Sequence, residues 1–264
     1  VGNGGTGLYS EGGNVTLDST SKINTGSNKA VGVFTKGAGQ TVTANAGSTM
    51  TIGDSSFGFL NEGKGNTINS NVTNQTLGND GTYIYSSDKS GTVNNNTTLT
   101  STGSYNYGLY SAGTVTNNAD INFGNGLGNV GIYSTYGGRA TNLAGRNITV
   151  GASYKDPTDP LKDRYAVGMA AGFNGDGNPA KAYTGNIVNE GTINVNGKYS
   201  IGMYGTEAGT KVYNGTAPGS SATINLGASN TTGMYLDNGA YGYNYGTIKS
   251  CLLYTSPSPR DRTR

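Results

Sequence analysis

A four-residue word, glycine followed by an apolar residue, an aromatic residue and a small polar one, recurs along this chain and constrains its fold more than any other feature. It stands at Gly7-Leu8-Tyr9-Ser10, Gly32-Val33-Phe34-Thr35 and Gly58-Phe59-Leu60-Asn61, and again at Tyr83-Ile84-Tyr85-Ser86, Gly108-Leu109-Tyr110-Ser111 and Gly131-Ile132-Tyr133-Ser134. Three looser copies begin at Gly168, Gly202 and Gly233. The early copies are 25, 26, 25, 25 and 23 residues apart, the later ones 37, 34 and 31. Self-similarity at such a period marks a solenoid, in which each repeat buries its apolar side chains only by stacking on its neighbours.

Composition agrees once the repeat is recognised. Only 33% of the 264 residues are hydrophobic and 46 are glycine, too little apolar material for an ordinary globular core of this length. A solenoid needs only a thin apolar column. Each early repeat divides into three short strands separated by Gly- or Asn-containing turns. In the second repeat these are Val31 to Phe34, Thr41 to Thr43 and Thr49 to Ile52; in the third, Phe57 to Leu60, Thr67 to Asn69 and Asn71 to Thr73.

Alternation assigns faces. Val31/Val33, Phe57/Phe59, Val130/Ile132, Val167/Met169 and Ile201/Met203 share one parity and are expected inside, as are Met50/Ile52, Ile121/Phe123, Ile148/Val150, Ile193/Val195 and Ile224/Leu226. Strands that recur on one face once per turn must run parallel, and parallel crossovers are right-handed. The expected fold is all-β: a right-handed parallel β-helix (β-solenoid) with three short strands per ~25-residue turn and about nine turns.

The solenoid is expected over residues 1–250, with a loop insertion at 152–165 and a shorter excursion at 174–186. Residues 251–264 lie outside the repeat pattern. The run from Cys251 to Asp261 resembles the translation of a transposase sequencing adapter and is expected to be a non-native, adapter-derived tail. It carries Arg260, Arg262 and Arg264 against Asp261, so the chain's 17 basic and 15 acidic residues become 14 and 14 over 1–250. That balance points to neither nucleic acid nor an anionic membrane surface. The single cysteine belongs to the tail, and no run of 18 apolar residues is present. The chain begins inside a repeat and is read as an internal segment of a longer protein.

The absence of histidine excludes Ser/His and Cys/His catalysis and imidazole metal sites. The acids fall singly near turns, among them Glu11, Asp18, Asp54 and Asp120, and recur in no common slot, so no paired-carboxylate chemistry is expected. Asn174, Asp176 and Asn178 alternate oxygen ligands, but Pro179 and Gly185 stand where a calcium loop needs Gly and Glu. No metal or cofactor is expected. Asn94 to Asn96, Asn117, Asn118 and Asn142 predict stacked amide ladders at one corner.

The column of candidate contact residues is aromatic. Tyr9, Phe34, Tyr85, Tyr110, Tyr133, Tyr204 and Tyr235 fall on the parity opposite Leu8, Val33 and Ile84, and so should form an outward ladder interrupted at Leu60 and Ala170. Such a ladder can shield the bare backbone of the preceding glycine column, or offer a stripe for sugar or protein contact. Asp156, Asp159, Lys162 and Arg164, in the inserted loop, complete the candidate surface.

The alternation of these glycine words with the word Asn189-Glu190-Gly191-Thr192-Ile193-Asn194-Val195 resembles the passenger domains of autotransporters, type V secreted adhesins and haemagglutinin-like proteins of Gram-negative bacteria. The resemblance implies a signal peptide upstream, an outer-membrane β-barrel elsewhere in the full chain, and display at the cell surface. The expected role is non-catalytic attachment to host cells, other bacteria or glycans, through a host or bacterial cell-surface protein or glycan. A carbohydrate-active β-helix enzyme or phage tailspike, and a purely structural surface or biofilm fibre, are the alternatives.

Overall fold

In the computed structural model, residues 1–173 and 183–250 are described; the candidate calcium ligands Asn174, Asp176 and Asn178 and the tail from Cys251 lie outside them. The described chain is a parallel β-solenoid. One sheet stacks nine strands, from Thr6–Ser10 to Thr232–Leu236, each pairing with its equivalent one turn away. A second nine-stranded sheet runs from Val15–Leu17 to Tyr241–Asn244. The third face is split, with seven strands from Asn74–Leu77 to Thr247–Ser250 and a separate pair, Lys22–Asn24 and Thr49–Thr51. Helical structure among the described residues is one 3-10 turn, Pro160–Lys162, so no helix there is long and apolar enough to cross a membrane.

The core is a single column. Val33, Ile84 and Ile132 of the first sheet share one apolar cluster with Val42, Val93 and Val212 of the second and Met50, Ile121, Ile148 and Ile193 of the third. Each is almost fully shielded from water. One turn buries only a handful of such side chains, worth ~1.5–3 kcal/mol each. Fixing ~25 residues costs more than that, so the turns are stable only as a stack.

The structure corrects one face assignment and one strand position. Val33, Phe59, Ile132, Met169 and Met203 do point inward, but Val130, Val167 and Ile201, two residues before theirs, form a separate outer cluster with Tyr107, Tyr133 and Tyr204. Simple alternation breaks at the glycine between them. A Cβ on Gly131 would lie 2.6 Å from the Gly168 carbonyl oxygen and 2.9 Å from Ile148 Cγ2, so this position faces the neighbouring turn and the interior. The glycine column is therefore not the outer backbone that the rings shield. Its one aromatic member, Tyr83, is fully buried, edge-on to Phe59 with its hydroxyl 2.6 Å from Ser70 Oγ.

The second correction concerns the third turn. Its third strand is Asn74–Leu77, not Asn71 to Thr73: Gln75 pairs with Leu99 and Leu77 with Ser101. Val72 is buried in the core without joining the ladder. Gln75 holds an inward position that the apolar pattern cannot reveal.

The predicted amide ladder is present and extends further than expected. Asn95, Asn117, Asn142, Asn189, Asn214 and Asn244 occupy one register position of the second sheet. Each Nδ2 donates to the next Oδ1 at 2.7, 2.9, 3.0, 2.9 and 2.8 Å. Asn95 to Asn214 are fully buried. A second, outer row joins Asn71, Asn96 and Asn118.

Candidate functional site

The aromatic column lies in continuous register on the outside of the first sheet, Tyr9 beside Phe34, Leu60, Tyr85, Tyr110, Tyr133, Ala170, Tyr204 and Tyr235 in order. Its chemistry is not uniform. Tyr85, Tyr110 and Tyr133 stack at centroid distances of 4.9 and 4.8 Å, the spacing of the strands themselves. Phe57 meets Tyr85 edge-on, as Tyr107 meets Tyr110 and Tyr133. The Tyr133 hydroxyl donates to the Gly172 carbonyl at 2.6 Å. Tyr9 and Tyr235 are the open members, each 49% exposed.

Burial pushes the hydroxyls of Tyr110 and Tyr133 far above the ordinary phenol range, and those of Tyr83, Tyr85, Tyr107 and Tyr204 upward as well. This sets the sign of an alkaline response. An unfolded tyrosine ionises near pH 10, while the folded ladder keeps its protons, so above that pH the unfolded chain binds fewer protons. Stability from these groups is complete below about pH 10 and is lost as pH rises towards the folded values. The tyrosinate absorbance of these six residues is expected to appear only together with loss of β circular dichroism. Complete ionisation of all 19 tyrosines near pH 10 with the sheet intact would contradict this.

At Ala170 the ladder breaks, and a trough of about 600 Å³ opens there. Three columns along the rod build it. Val130, Val167 and Ile201 form an apolar floor with Ala170; Tyr133, Tyr204 and Tyr235 form one wall; and Tyr165, Tyr199 and Asn230, in the turns preceding the strands, form the other. Tyr199 holds φ at 61°, in the left-handed region that bulky side chains seldom occupy. Lys155 and Asp237 supply the charges at the rim.

The inserted loop divides this trough from a second groove. Tyr154 and Arg164 close the loop base through paired backbone hydrogen bonds of 2.8 and 2.9 Å. Asp156 accepts from the Thr158 amide and hydroxyl and from the Asp159 amide at 2.9–3.0 Å, which holds its carboxyl below the usual range. Asp159 caps the 3-10 turn through the Leu161 amide and lies 3.5 Å from Lys162 Nζ. Lys155 pairs with Asp163, reaches the Tyr165 hydroxyl at 2.9 Å and sits over that ring.

The sequence-predicted residues therefore do not share one surface. Tyr133, Tyr204 and Tyr235 line the trough, whereas Asp156, Lys162 and Arg164 line the second groove, also about 600 Å³, with Asp80, Tyr105, Tyr154 and Leu161. Tyr85 and Tyr110 continue the ladder beyond the trough, and Tyr9 and Phe34 pair with each other at the first two turns. Sequence reasoning missed Lys155, Tyr165, Tyr199 and Asp237. The one legible sign was tyrosine at 105 and 199 in turn positions that favour Gly, Asn or Asp. Among the described residues no group of three Asp or Glu side chains is placed to hold a metal ion.

This fold and surface accord with a family match that runs over residues 1–247, to the BigA third pectate lyase-like domain. The chain belongs to that family. No curated protein and no solved structure matches it.

Proposed function

We propose that this chain is a rigid, non-catalytic segment of a bacterial attachment protein displayed at the cell surface, and that its aromatic face contacts a protein or glycan of a host or bacterial cell. The observation that carries the reading is the trough between two outward tyrosine columns on a continuous rod. Aromatic groups with an apolar body and a polar tip favour contact surfaces, and the rod presents them in one line. The word pattern of the chain supports secretion as an autotransporter passenger and outer-membrane display in a Gram-negative bacterium.

A second reading, a polysaccharide lyase, is favoured by the pectate lyase-like family description. Against it stands the placement of the acids: Asp18, Asp88 and Asp156 accept hydrogen bonds within their own turns and loops, and Asp54 accepts from the Asn79 amide of the next turn. Both readings are tested together. Non-adherent bacteria displaying the chain should be retained on cell layers several-fold better than bacteria displaying an unrelated β-rod, and the chain should release no unsaturated uronides from polygalacturonate. Equal retention overturns attachment; uronide release overturns the non-catalytic role.

A further inference from the structure

We infer that the trough over Val167 and Ile201 is a binding site for an uncharged pyranose chain lying along the rod. This rests on the attachment reading of the same face and gives it a ligand class. From Val130 to Thr232 the floor spans three strand spacings, about 14 Å, room for a short run of sugar rings. The floor is apolar, with Val130, Val167, Ala170 and Ile201 shielding one another. Pyranose rings present C–H faces, which suit such a floor and the electron-rich faces of Tyr204 and Tyr235. The rim carries what sugar hydroxyls require, with phenol hydroxyls, the Asn230 amide and the Asp237 carboxylate spaced around an apolar centre. Tyr199, 43% exposed, closes the far side.

Charge selects within the class. Among the described residues the trough's one cation, Lys155, is committed to Asp163 and to the Tyr165 hydroxyl. Asp237 receives only the Asn238 amide at 2.7 Å, and among the described residues it has no ion-pair partner. The described charges at the trough therefore sum to negative, which opposes carboxylated sugars. A polyuronate is the wrong ligand for this surface, whatever the family description suggests.

The test is a printed array carrying neutral hexose oligosaccharides beside oligogalacturonates and sialylated glycans, probed with the whole chain and with two variants. Ala170→Tyr continues the ladder through the gap and occupies the trough; Tyr199→Ala removes the far wall from an exposed position. The wild-type chain should retain neutral oligosaccharides and not the acidic ones. Each variant, folded by circular dichroism, should lose about tenfold or more in affinity, the loss of roughly one good ring contact. Should Ala170→Tyr fail to fold, Tyr199→Ala alone decides.

Binding unchanged by a folded variant, or acidic glycans held as tightly as neutral ones, overturns the inference. If displayed chain adheres to cells but no array glycan is bound, the sugar site is wrong and attachment stands. If adhesion is also absent, attachment falls with it.

Discussion

Replacing Asn142 by alanine should lower the stability of the rod by about 2–6 kcal/mol, because two buried groups each lose a partner worth about 1–3 kcal/mol. The Asn142 Oδ1 accepts from Asn117 at 2.9 Å and its Nδ2 donates to Asn189 at 3.0 Å, with all three residues fully buried. Alanine removes both bonds and provides no path for water. The damage is not confined to one turn: a solenoid has only neighbour contacts, so a weakened interface divides the stack into two shorter rods. The control is Asn96→Ala in the exposed outer row, where Asn71 and Asn118 can turn to solvent and the change should stay within about 0.5 kcal/mol. Guanidinium unfolding of the pair checks this. Equal midpoints for the two variants would mean that the buried ladder contributes nothing of its own.

Gly131→Val should be as damaging for a steric reason. The added Cβ meets a backbone oxygen at 2.6 Å and a core methyl at 2.9 Å, and neither is the free end of a flexible chain. The sixth and seventh turns must separate or Ile148 must leave its place. Forcing extra carbon into packed interiors costs about 1–3 kcal/mol, and contact with the backbone of the next turn puts this position at or above the upper end. Thermal melting should shift down and broaden as the two halves uncouple. Val130→Ala is the comparison. Val130 belongs to the outer cluster, so its loss should leave the inner column in place and lower the melting temperature less. If Gly131→Val melts as the wild type does, the inward assignment of the glycine column is wrong.

The architecture was readable because the repeat period and third-slot alternation come from side chains that must be buried. Ile148/Val150 and Ile193/Val195 lie inside as their parity demands. The errors occurred where a backbone feature overrode parity. At Gly131 two successive positions turn towards the core, so Val130 goes out although it shares the parity of Ile132. At Gln75 a polar side chain occupies a core register, and the apolar signal shifted the expected strand onto Val72.

The aromatic ladder was legible as a list of residues, but its division was not. Tyr110 and Tyr133 stack with their neighbours and bury much of their surface, so replacing them tests stability before it tests contact. The trough depends on what the inserted loop and the turn column bring beside Ala170. Lys155, Tyr165 and Tyr199 are dispersed in sequence and carry no shared pattern, so only the folded register brings them together.

The most direct measurement for the central claim, an attachment surface on the open aromatic face of the rod, uses displayed chain with Tyr235 changed to Ser. Tyr235 lines the trough, is half exposed, and among the described residues stacks only on Tyr204, at 5.7 Å. Retention of the displaying bacteria on cell layers should fall several-fold while the melting curve of the chain stays close to wild type. Retention equal to wild type from a variant that is folded and displayed at the same density would contradict the claim.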